Sequence, residues 1–132
     1  PMPAHFGLHP YFLVSDQDRD RVRVEVDASY AYDNTSGDSG PWSGELDLTA
    51  PGVDLHLTDL QSQTVLLHVP GRTPRRIEMS ELFTTVVIWQ SAMQDFLCVE
   101  PWSAPGDALN TGVCLRTLEP GDSLRGEVIL SV

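Results

Sequence analysis

The clearest candidate for chemistry in this sequence is one carboxylate in an apolar setting. Phe96-Leu97-Cys98-Val99-Glu100-Pro101-Trp102 is a β-prone run that ends on Glu100 and is stopped by a proline. Alternation along a strand puts Phe96, Cys98 and Glu100 on one face and Leu97 and Val99 on the other. An ionised carboxylate is costly to bury unless it is paired or hydrogen-bonded, so Glu100 either has a role or points into solvent at the strand end. Three further groups stand out. Pro10 biases His9 toward an extended conformation, and His9 is otherwise a packed, hydrogen-bonded histidine. Asp54 and His56 alternate with Val53, Leu55 and Leu57, which also fits the solvent face of a strand. No Cys-x-x-Cys pair, Gly-rich phosphate loop or His-Glu-x-x-His pattern is present. The chemistry open to such groups is proton transfer: near neutral pH an ionised carboxylate accepts a proton and a charged imidazole donates one.

The elements that must position these groups read as strands. Tyr11 to Val14 follows a segment dense in proline, histidine and aromatics, and Ser15 to Asp20 is an acidic turn. Arg21 to Asp27 alternates, with Val22, Val24 and Val26 inward. Residues 28–44 lack apolar periodicity and read as a long loop. Val53 to Leu60, Gln63 to Val69, Arg75 to Ser80, Glu81 to Gln90, Phe96 to Glu100, Thr111 to Thr117 and Leu124 to Val132 read as further strands. Turn signals separate several of them, such as Pro51-Gly52 and Pro70-Gly71. No segment sustains a 3.6-residue period, so the expected class is all-β, an antiparallel β-sandwich without helix.

Length and composition bound the rest. The 132 residues fit one domain, 1–132, with 41% hydrophobic and 20% charged residues, ordinary for a soluble protein. Asp and Glu number 19 against 8 cations, all arginine, giving a net charge of −11. That charge disfavours nucleic acid and anionic membrane surfaces as partners. No apolar run approaches the roughly 20 residues of a membrane helix, and no signal peptide precedes the first residue, so a cytoplasmic location is expected. The first residue is Pro1 rather than methionine, which is read as a sign that something upstream was removed. Cys98 and Cys114 both fall in runs read as strand, and two buried reduced thiols are expected rather than a disulfide.

Taken together, His-Pro-Tyr-Phe at 9–12, Val-Asp at 53–54 and Cys-Val-Glu-Pro-Trp-Ser at 98–103 with Asn110-Thr111-Gly112 resemble the aldose 1-epimerase (mutarotase) family. Leu118-Glu119-Pro120-Gly121-Asp122-Ser123-Leu124 is similar to that family's Pro-Gly-Glu-Ser signature. The resemblance covers essentially the whole chain but only the C-terminal half of a family member. It implies a galactose-mutarotase-like supersandwich of which this chain is a part, and interconversion of α and β anomers of an aldohexose. Glu100 would be the general base for the anomeric hydroxyl and His9 the general acid for the ring oxygen. Asp54 would bind sugar hydroxyls, with Tyr11 and Trp102 as further sugar contacts. Trp89 and Phe12 are alternatives to Trp102 as an apolar face for the ring, or all three are core. No metal or redox cofactor is needed for such a reaction.

The chain also departs from that family. The histidine and arginine that the family's N-terminal half supplies are absent by length, and Asp54-Leu55-His56-Leu57 lacks the usual polar and aromatic residues after the aspartate. His56 then stands as a substitute sugar contact. Exposed sheet edges would need a partner: the rest of a longer enzyme, a complementing N-terminal chain, or a second copy in a homo-oligomer. Arg72, Arg75 and Arg76 raise the prospect of a phosphorylated sugar, although solvated edge charges are the better reading of them. The competing functions are a non-catalytic carbohydrate-binding module and a structural β-domain that dimerises through its edges.

Overall fold

Alternate residues of the central strands face opposite ways, and one of the two sets forms a common apolar core. The computed structural model describes residues 1–92 and 94–132. Its strands are β1 (Met2–Ala4), β2 (Tyr11–Leu13), β3 (Arg23–Asp33), β4 (Ser39–Pro41), β5 (Gly52–His68), β6 (Arg75–Met79), β7 (Thr85–Ser91), β8 (Phe96–Trp102), β9 (Arg116–Leu118) and β10 (Val128–Ser131). All of the paired strands are antiparallel.

The 17-residue β5 organises the architecture. Along one edge it pairs with β3. Along the other, residues 52–57 pair with β7 and residues 64–67 pair with β6. One branch then continues through β8 to β2, and the other from β6 to β10. The shared β3–β5 pair is irregular between them: the register shifts from Val26–Val65 to Ala28–Leu60, which leaves the extra residues on β5, and Asp59 of that strand takes a left-handed φ of 53°. Bulges increase local twist and bend. Val53, Leu57, Val86, Ile88, Leu97 and Val99 of the first branch meet Val65, Leu67, Ile77 and Met79 of the second in one buried cluster. This is the β-sandwich expected from the strand spacing.

Several boundaries differ from expectation. Residues 28–33 are strand, because their backbone pairs with residues 55–60 of β5 although their side chains show no apolar period. The two strands read at 53–60 and 63–69 are one. Residues 81–84 are not strand, and the helix-free reading fails at a 3-10 helix (Asp16–Arg21) and at the single-turn α1 (Ala108–Thr111). Ser15 caps the 3-10 helix by accepting from the Gln17 amide, and Arg19 is buried, pairing with Asp16 at 3.1 Å and donating to the Gln94 carbonyl. Cys114 lies outside any strand, exposed and at φ 54°, so of the two free thiols only Cys98 is buried. Arg75 and Arg76 lie on β6, which is flanked on both sides, and Arg76 pairs with Glu78 at 3.1 Å. The loop expected between β7 and β8 includes Met93, outside the described residues.

Candidate active site

The residues left over by the core share the opposite face of β3, β5, β7 and β8, and the strand register sets them in rows. One row runs Tyr32, His56, Val87, Glu100; the next runs Asp54, Trp89, Cys98, Tyr11. His9 joins the first row from outside. Gly7 bridges to Trp102 and Tyr11 pairs with Cys98, so the intervening register brings His9 opposite Glu100. Pro10 suits that stretch because it holds His9 extended.

The contacts close around Glu100. Its side chain is 2% exposed. One oxygen lies 3.2 Å from His9 Nε2, and the other accepts a 3.0 Å hydrogen bond from Trp102 Nε1. Burial holds this carboxyl above the usual carboxylate range, more strongly than His9 and the Trp102 N–H lower it, and the charge of Asp54 adds to the rise. Burial, with the Glu100 charge adding, also pushes the Cys98 thiol up to about 12. Trp102 can lie flat because residue 7 is glycine: a Cβ there would stand 2.4 Å from Trp102 Cδ1.

A second cluster stands beside the first. Asp54 is held by His56 Nε2 at 3.0 Å on one oxygen and by Asn34 Nδ2 at 2.8 Å on the other. The His56 ring packs edge-on to Trp102 and Tyr32, at centroid distances of 5.4 and 6.1 Å. Both clusters line an open cleft of about 1130 Å³ that also takes in Tyr30, Trp89, Thr85 and His5.

His9, Glu100, Asp54, His56 and Trp102 therefore lie together, whereas two of the residues considered from sequence lie elsewhere. Tyr11 is off the cleft and stacks on the His9 ring at 4.9 Å, which makes it a support for the imidazole. Phe12 packs against the core. The arginines considered for a phosphate are outside as well: no arginine lines the cleft among the described residues, and Arg72 donates to the Leu13 carbonyl. Sequence reasoning missed Asn34 and Tyr32. The available signal was the alternation Tyr30-x-Tyr32-x-Asn34, hidden inside a stretch read as loop.

The sequence model of aldose 1-epimerase matches residues 1–131. The chain belongs to the aldose 1-epimerase family. Among solved structures, this family member superposes on the Slr1438 protein of Synechocystis sp. PCC 6803 with a TM-score of 0.88 at 35% identity, covering 96% of this chain and 44% of that one. A candidate aldose 1-epimerase of Escherichia coli K12 gives 0.78 at 23% identity, covering 98% and 50%. A galactose mutarotase-like protein of Clostridium acetobutylicum gives 0.74 at 16%, covering 98% and 48%, which adds the likeness of fold. The epimerase-family chain thus spans half or less of the length of these structures. None of the curated proteins compared matches it significantly.

Proposed function

We propose that this chain carries the acid–base pair of an aldose 1-epimerase and interconverts the α and β anomers of an aldohexose. The observation that carries the reading is the 3.2 Å contact between His9 Nε2 and a buried Glu100 carboxylate in an open cleft. Anomer exchange acts on two oxygens bonded to one carbon, so its acid and base must be neighbours. Glu100 takes the proton of the C1 hydroxyl while protonated His9 gives one to the ring oxygen; the C1–O5 bond breaks and the open aldehyde forms. Rotation about C1–C2 and the reverse transfers close the other anomer. Asp54 and His56 receive sugar hydroxyls, and Trp102 offers the ring an apolar face.

Residues 1–132 act in this reading as one β-sandwich domain, located in the cytoplasm. The edges of β2 and β10, unpaired among the described residues and beside exposed Leu13, Ile129 and Leu130, are where a complementing segment or a second copy docks. The test is anomer exchange by NMR with glucose and galactose. Exchange above the buffer rate, lost in Glu100→Gln, supports the assignment; exchange retained in that variant sinks it. Sugar-induced shifts without exchange would make the chain a carbohydrate-binding module instead.

A further inference from the structure

The acid–base reading leaves one buried reactive group of the cleft face unused, the Cys98 thiol. Cys98 sits two residues before Glu100 on the same face of β8 and opposite Tyr11 of β2. A His9 ring nitrogen, Cys98 Sγ and a Glu100 carboxylate oxygen all lie within 4.8 Å of one another.

We propose that His9, Cys98 and Glu100 form a site for a thiophilic divalent cation of the zinc type, seated between the acid and the base. The donor set is one imidazole nitrogen, one sulfur and one carboxylate oxygen, the mixture that zinc takes at about 2.0–2.3 Å. Such bond lengths place tetrahedral donors roughly 3.3–3.7 Å apart. The His9–Glu100 pair at 3.2 Å is near that separation, and Cys98 Sγ, within 4.8 Å of a His9 nitrogen and a Glu100 oxygen, has to close by at most about 1.5 Å. Magnesium and calcium do not suit the site because they take oxygen donors.

The ligands are also held from behind. Tyr11 stacks on the His9 ring, Trp102 Nε1 fixes the second oxygen of Glu100, and the β2–β8 ladder holds Cys98. Such supporting contacts orient ligands and raise affinity. Three protein ligands leave a fourth position for water or a hydroxyl, and two of the three, His9 and Glu100, line the cleft. A net charge of −11 raises the local cation concentration.

Binding breaks the Cys98 S–H bond and forms a sulfur–metal bond. The proton goes to solvent and no electron is transferred, so affinity rises with pH. An ion in this position occupies the lone pairs of both His9 and Glu100. On the proposed function, and only there, it follows that zinc blocks anomer exchange.

The test is titration of the whole chain with cobalt(II) and zinc(II) alone. Expected are a thiolate-to-cobalt charge-transfer absorption displaced by zinc, and proton release on zinc binding by calorimetry. Cys98→Ser should abolish the absorption, and Cys98→Ser and His9→Gln should each weaken zinc by at least about tenfold. Cys98→Ala repeats the measurement if the serine variant does not fold. His68→Gln, at the separate His68–Glu25 pair, should leave affinity unchanged. Equal zinc affinity in wild type and the Cys98 variants, or its loss in His68→Gln, overturns the proposal. Because the readout is affinity, a chain that shows no exchange with any sugar still decides this question and bears only on the proposed function.

Discussion

The two faces of the β5–β7–β8 sheet are built from alternate residues of the same strands, yet they follow different rules. The inner face carries Leu57, Ile88 and Leu97, each fully buried among aliphatic neighbours. Nothing there needs a particular partner, only volume and close packing. The outer face carries Glu100, His56 and Trp102, where both Glu100 oxygens, His56 Nε2 and Trp102 Nε1 each depend on one named contact. Apolar burial stabilises the first face, while burying Glu100 costs free energy on the second. The fold therefore tolerates a destabilising group where the proposed chemistry sits.

Substitutions on the two faces should separate these rules. The largest effect is expected for Glu100→Gln, with anomer exchange falling by roughly 10²–10⁴-fold, the range for loss of a general base. Its stability should move the other way. A carboxyl held above its ordinary range binds its proton more tightly in the folded than in the unfolded chain. Its burden on stability is therefore absent below the ordinary carboxylate range and grows as pH rises through the folded value. Thermal unfolding at neutral pH should find Glu100→Gln at least as stable as wild type, with the gap closing on acidification; a less stable variant at neutral pH breaks the contrast.

Leu97→Ala, on the other face of the same strand, should cost about 2–5 kcal/mol in denaturant unfolding. In the fraction that stays folded, exchange per folded molecule should be close to wild type. Gly7→Ala is next, because its Cβ forces the Trp102 ring away and strains the Trp102–Glu100 hydrogen bond. A loss of about 1–3 kcal/mol is expected, together with slower exchange. The smallest effect belongs to Asn34→Ala, which removes one exposed hydrogen bond to Asp54. Stability should fall by about 0.5–1.5 kcal/mol or less, and NMR titration should show weaker sugar binding. An unchanged sugar affinity would remove Asp54 from the set of sugar contacts.

Much of this division was legible along the chain. The alternation in Val53 to Leu60 and Phe96 to Glu100 separated Leu57, Leu97 and Val99 from His56, Cys98 and Glu100, and the structure keeps that separation. Residues 28–33 were not legible, since a strand held by backbone pairing leaves no apolar period in its side chains. Thr111 to Thr117 misled for the converse reason: Val113 and Leu115 alternate, but most of the segment finds no strand to pair with, and Val113 is exposed. The stacking of Tyr11 on His9 was also hidden, because a motif names a residue without saying which way its ring turns.

The sequence by itself determined which residues can face a core and which can face a cleft, because side-chain direction in a strand follows from the two-residue period alone. It also determined that proton transfer by carboxylate and imidazole was the chemistry within reach. Only the tertiary structure decided that residues 9 and 100, or 34 and 54, are partners. Ladder register across distant segments sets those distances, and no local property of either segment encodes it. The cost of burying Glu100 and the closeness of Cys98 to His9 arise the same way, from what the packed sheet brings within a few ångströms.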